Sequence, residues 1–128
     1  MAPLLKLLLI EDSSVDEALV VRALTDGGYR VEHTRVDGPA ALTDALERQP
    51  WDVAIADYTM PCFPAGAIVD VLRQRDADLP FIFVSDTSGE EAAVAAMRLG
   101  ARDYILKSQL ERLASAVERE LGESGARR

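Results

Sequence analysis

The chain reads as an α/β protein built on a doubly wound, five-stranded parallel sheet. Three observations predict this. Strand-like and helix-like segments alternate five times along the 128 residues, the pattern of successive βαβ units. The runs Leu4–Ile10, Val53–Ala56 and Phe81–Val84 are almost wholly apolar, as in strands covered by helices on both faces. Four strand-like runs lead directly into a polar, chemically capable residue: Glu11-Asp12, Asp57, Ser85 and Lys107. The length fits one domain with a sizeable core.

The elements follow in order. Leu4–Ile10, interrupted only by Lys6, is the first strand. Ser14 with Glu17 three positions on reads as a capping box, opening a helix that runs through Leu24 and stops at Gly27-Gly28. Tyr29–Val36 alternates apolar and polar residues, as a half-exposed edge strand does. Asp37-Gly38-Pro39 opens the second helix, whose buried stripe is Leu42, Ala45 and Leu46, and Pro50 ends it. Val53–Ala56 is the third strand. Pro61, Pro64 and Gly66 mark a loop before a helix over about Ala67–Arg75. Pro80 precedes the fourth strand, Phe81–Val84, and Gly89-Glu90-Glu91 starts the fourth helix with acids where its dipole favours them. Gly100 ends that helix and Asp103–Leu106 is the fifth strand. Leu110, Leu113, Ala114, Val117 and Leu121 keep helical spacing to the end of the domain, taken as residues 1–121. Gly122–Arg128 reads as a frayed polar tail.

Composition narrows the function. The formal net charge is −8, so the chain gains nothing from a phosphodiester backbone, and direct nucleic-acid binding is not expected. No apolar run approaches the roughly 18–20 residues of a membrane span, and no insertion is expected. The single cysteine, Cys62, excludes an internal disulfide and fits a reducing, cytoplasmic setting. Of 14 basic residues only Lys6 and Lys107 are lysine, which points to a place at 107 for a compact ammonium.

In an open parallel sheet, ligands bind beyond the carboxyl ends of the strands. Glu11, Asp12, Asp57, Ser85 and Lys107 would meet there. Carboxylates around an open space suit Mg²⁺, whereas one His and one Cys are too few for zinc. Asp57 can serve as a nucleophile as well as a ligand, because carboxylates form acyl phosphates in some phosphotransfer proteins. Lys107, Ser85 and the ion would position and neutralise a transferring phosphoryl group. Singly, each residue has a plainer reading: Asp12 before Ser13-Ser14 as a cap, Ser85 as a turn residue, Lys107 as a solvated cation. The set of four strand ends is what favours a site.

With these residues in place, the chain resembles a response-regulator receiver domain of two-component signalling over about Leu4–Leu121. The matching elements are Glu11-Asp12, Asp57-Tyr58-Thr59-Met60-Pro61, Val84-Ser85 and the segment from Gly100 to Lys107. The resemblance implies a flavodoxin-like (βα)5 fold with strand order 2-1-3-4-5. It implies that Asp57 accepts a phosphoryl group from a phosphohistidine on a histidine kinase or histidine phosphotransfer protein and slowly loses it again. It assigns Mg²⁺ to Asp12, Asp57 and the Thr59 backbone carbonyl, with Glu11 assisting through water. Lys107 would pair with phosphoryl oxygens, Ser85 would be the switch hydroxyl and Tyr104 its coupled aromatic. Output would leave by the surface of helix 4, strand 5 and helix 5. Such a chain is a phosphoacceptor rather than an enzyme acting on other molecules.

Three positions depart from the family pattern. Ser108 replaces the proline expected after the lysine, Ala65 and Gly66 shift the glycine of the third loop, and Asp86 replaces a small residue after the switch hydroxyl. Thr59, Asp86 and Thr87 are candidate modulators. The segment Phe81–Glu91 is most similar to receivers found with sensor kinases, so the chain is read as one module of a larger protein. The competing reading is a degenerate receiver that binds partners without phosphorylation.

Overall fold

A computed structural model describes the backbone of residues 2–127 and the side chains as far as Gly122. Its strands β1 (Leu4–Ile10), β2 (Arg30–Val36), β3 (Val53–Asp57), β4 (Phe81–Ser85) and β5 (Asp103–Leu106) form one parallel sheet. The order is β2-β1-β3-β4-β5. After β1 the chain first builds one edge and then crosses back, so the direction of winding reverses between β1 and β3. Loops diverge there and leave a crevice. The helices are α1 (Ser14–Asp26), α2 (Pro39–Arg48), α3 (Ala65–Arg75), α4 (Glu90–Arg98) and α5 (Leu113–Arg127), with a 3₁₀ turn over Lys107–Arg112.

Strand residues alternate between two cores, as a period of two requires. Leu8, Ile10, Ala54, Ala56 and Phe83 pack with Leu42, Leu72 and Ala96 under α2, α3 and α4. Leu7, Leu9, Val53, Ile55 and Val84 pack with Leu24 and Val117 under α1 and α5. All of β3 and β4 is buried, whereas in the edge strand β2 only Val36 is. That contrast explains why the central runs are uniformly apolar and Tyr29–Val36 alternates.

Local departures from the sequence reading have physical causes. The cap of α1 is Ser13, whose Oγ accepts the Asp16 N–H at 3.2 Å, and not Ser14. Glu17 consequently points away from the helix start and binds His33 and Arg35 of the edge strand at 2.8 and 3.0 Å. Helix α3 begins at Ala65 because Pro64 takes the cap position. Leu110 belongs to the 3₁₀ turn rather than to α5. The backbone of α5 is helical as far as Arg127, through both Gly122 and Gly125; each glycine in a helix costs only about 1 kcal/mol. Arg128 lies outside the described residues.

Two glycines are required, Gly100 by its positive φ and Gly27 by close approach. Gly100 has φ 106°, and a Cβ there would sit 2.7 Å from the Arg73 guanidinium, which donates to the Leu99 carbonyl at 2.6 Å. Gly27 lets the end of α1 press against Ala114 of α5, where a Cβ would collide.

Candidate functional site

The parallel register sets Ile10 beside Ala56, Asp57 beside Val84 and Ser85 beside Leu106. The polar residues that end these strands therefore share one edge. Asp57 and Ser85 are the last residues of their strands, and both are buried.

One end of the crevice is charged. The Lys107 ammonium lies 2.6 Å from Asp16 Oδ2, 3.1 Å from Asp57 Oδ2 and 3.3 Å from Glu11 Oε2. Burial penalises its charge, but hydrogen bonds to Asp16 and Asp57 and the charges of Asp57 and Glu11 outweigh that and hold it above the usual lysine range. Glu11 is fully buried. Its Oε1 accepts the amides of Asp12 and Ser13 at 3.1 and 3.2 Å. Its Oε2 has no hydrogen-bond donor among the described residues, because the lysine contact is close without being aligned. Burial first, and then the charge of Asp57, push the Glu11 carboxyl up to about 7. Asp57 Oδ1 accepts from the Thr59 N–H at 3.0 Å and from the Thr59 hydroxyl at 3.3 Å.

The other end buries no charge. Ser85 Oγ accepts the Thr87 N–H at 2.9 Å, and the Tyr104 hydroxyl donates to the Thr87 carbonyl at 2.5 Å. Tyr58, next to Asp57, meets both Tyr104 and Phe83 edge to face, with ring centres 5.4 and 5.2 Å away. Asp86 and Thr87 are exposed.

Carboxylate oxygens of Glu11, Asp12 and Asp57 lie within 4.8 Å of one another. An all-oxygen donor set with one buried, unbonded carboxylate oxygen fits a hard divalent cation such as Mg²⁺. The fold thus brings together Glu11, Asp12, Asp57 and Lys107, and it links Ser85 to Tyr104 through Thr87. Sequence reasoning missed Asp16. The available signal was an acid in the first turn of the helix that follows Glu11-Asp12, once that helix is counted from Ser13. Trp51 and Cys62 take no part: Trp51 donates to the Ala45 carbonyl within the core, and Cys62 is exposed.

The family model of the response regulator receiver domain matches residues 7–118. The chain belongs to the response-regulator receiver family. Over 102 residues it is 35% identical to the transcriptional regulatory protein PrrA of Mycobacterium tuberculosis, covering 80% of this chain and 43% of PrrA. The chain therefore spans less than half the length of that relative. It is 29% identical to the chemotaxis protein CheY of Treponema pallidum, covering 88% of this chain and 83% of CheY. Among solved structures it is similar to the receiver domain of a signal transduction histidine kinase from Syntrophus aciditrophicus, at 27% identity and a TM-score of 0.74, covering 93% and 91% of the two chains. Receiver domains are phosphoacceptor signalling modules that bind Mg²⁺ at an acidic pocket and work with histidine kinases and output domains. Some relatives, such as the protein-glutamate methylesterase of Caulobacter vibrioides, are enzymes of which this chain covers only 33%. Among the described residues no helix is long and apolar enough to cross a membrane.

Proposed function

We propose that this receiver domain is a phosphorylation-driven switch whose acceptor is Asp57. The observation that carries the reading is the setting of its buried carboxylate. One oxygen is steadied by Thr59 and the other faces the Lys107 ammonium. An oxygen of Asp57 attacks the phosphorus of a partner's phosphohistidine. The P–N bond breaks, its electron pair stays on the imidazole, and an acyl phosphate forms on Asp57. Lys107 gives up no proton; its fixed charge faces the phosphoryl oxygens, where catalysis is largely positioning and neutralisation. Asp12, Asp57 and the Thr59 carbonyl would hold Mg²⁺, with Glu11 acting through water, and the ion supplies further neutralisation of phosphoryl charge. Water attack on the acyl phosphate resets the switch slowly, at a mouth bordered by Thr59, Asp86 and Thr87.

The readout begins at Ser85. Its hydroxyl is occupied by the Thr87 amide and would turn to donate to a phosphoryl oxygen. Thr87 then loses its acceptor, and Tyr104, bonded to the Thr87 carbonyl, moves with it. The change reaches α4, β5 and α5, where Val94 and Met97 of α4 expose apolar surface to an output partner. A net charge of −8 supports protein partners over nucleic acid, and the lone free cysteine supports a cytoplasmic setting.

Incubation with Mg²⁺ and acetyl phosphate, followed by intact mass, tests the reading. One added phosphate on the wild type and none on Asp57→Asn is the expected result. An unmodified wild type would favour the degenerate, phosphorylation-independent receiver.

A further inference from the structure

We infer that Asp16 is a positioning residue for phosphoryl transfer: it is the permanent partner of Lys107, holding the ammonium over the crevice while the other contacts of Lys107 change. The inference rests on the proposed phosphorylation of Asp57.

Lys107 has three donors and three carboxylate neighbours. Glu11 and Asp57 both belong to the cluster suited to a cation, so a bound metal competes with Lys107 for their oxygens. Asp57 changes further when it becomes an acyl phosphate, since its carboxylate charge is replaced by phosphoryl charge farther out. Only Asp16 stands outside the cluster, and it makes the shortest of the three contacts, 2.6 Å, across 91 positions of sequence. With Asp16 fixed, Lys107 can exchange its Asp57 bond for a phosphoryl oxygen by a small rotation. Without Asp16, a flexible four-carbon stem must be ordered anew at each transfer.

The local build explains how Asp16 is free for this work. In a capping box, the acid at its position turns back to the amide of the cap residue. Here the Ser13 amide is already taken by Glu11 Oε1, and the Ser13 hydroxyl fixes the Asp16 backbone. The carboxylate of Asp16 is left pointing at Lys107. Its side chain is about a quarter exposed while that of Lys107 is one-tenth exposed, so it closes the crevice on the α1 side.

Simple charge arithmetic gives the opposite expectation. Asp16 adds negative charge beside an incoming anion, so its removal would speed the reaction, most at low salt. Positioning requires that removal slow it. The test uses Asp16→Asn and Asp16→Glu in the full chain with Mg²⁺ and acetyl phosphate. The rate at saturating donor should fall about tenfold in Asp16→Asn, the effect of losing roughly one charge-assisted hydrogen bond, at low and high salt alike. Asp16→Glu should recover most of it.

A second readout is independent of turnover and of helix stability. Lys6 and Lys107 are the chain's only lysines, so ¹³Cε-lysine labelling gives two resolvable NMR signals. The Lys107 signal should show added motion in Asp16→Asn, both free and with Mg²⁺ and beryllofluoride, while Lys6 is unchanged. A saturated rate equal to or above wild type, or an unaltered Lys107 signal, would overturn the inference alone. Failure of the wild type to take up phosphate would instead overturn the reading on which it rests.

Discussion

The two ends of the crevice are built by different means. At the Lys107 end, four carboxylates and one ammonium are gathered from the loop after β1, α1, β3 and the segment after β5, and the ammonium is closed in on three sides. At the Ser85 end no charge is buried. A buried hydroxyl and a half-buried tyrosine hold one exposed loop by single hydrogen bonds to Thr87. Each such bond contributes about 1 kcal/mol and can be exchanged for another. Displacing a partner from a largely buried charge cluster costs more, about 3–5 kcal/mol, because it leaves a buried charge uncompensated. The comparison teaches a division of labour: the charged end fixes the reacting group and the hydroxyl end is free to report on it.

Removing Lys107 should break the charged end most severely. Lys107→Ala leaves three neighbouring carboxylates without their cation, and the folded state should lose about 3 kcal/mol in the presence of a chelator. Mg²⁺ should return part of that loss. Urea unfolding with EDTA and with Mg²⁺ measures both.

The pH dependence isolates Glu11 at the same end. Its folded-state carboxyl titrates near 7 against an ordinary 4.5, so between these values the folded protein binds more protons than the unfolded one. Stability from this group is full below about 4.5 and is lost as pH rises through 7. In EDTA, the wild type should lose more stability from pH 5 to 7.5 than Glu11→Gln, which has no such proton. Parallel stability curves for the two would place the raised carboxyl elsewhere.

Disturbing the hydroxyl end should cost less. Tyr104→Phe removes one donor to the Thr87 carbonyl, worth about 1 kcal/mol. Faster amide hydrogen exchange at Thr87, with the Lys107 end unaffected, is the expected signature. The smallest effect belongs to Asp86, which is exposed beside this loop. Asp86→Ala should be phosphorylated about twofold faster by acetyl phosphate at low salt, with the gain vanishing at high salt where the charge is screened.

The same contrast governs what could be read from the sequence. Strands β1, β3 and β4 were legible because burial on both faces leaves near-continuous apolar runs, and the residues ending them could be placed at one edge without knowing any side-chain contact. Asp57, Lys107, Glu11 and Asp12 follow from that placement. The strand order came from the family resemblance, since apolar runs do not say which strands are neighbours. Asp16 was hidden by the tandem Ser13-Ser14: either serine can cap, and choosing Ser14 puts the acid of the capping turn at Glu17 instead. The Tyr104–Thr87 bond was beyond reach for a different reason. It joins a strand to a loop whose path no local propensity dictates.

Adding Mg²⁺ and beryllofluoride to ¹⁵N-labelled protein tests the division of labour directly, since beryllofluoride imitates a phosphoryl group on a carboxylate. The account predicts that the amides of Thr59, Thr87 and Tyr104 and the backbone of Lys107 shift together, so that both ends respond, and that Asp57→Asn shows none of these shifts. Shifts confined to the Lys107 end, with Thr87 and Tyr104 silent, would contradict it.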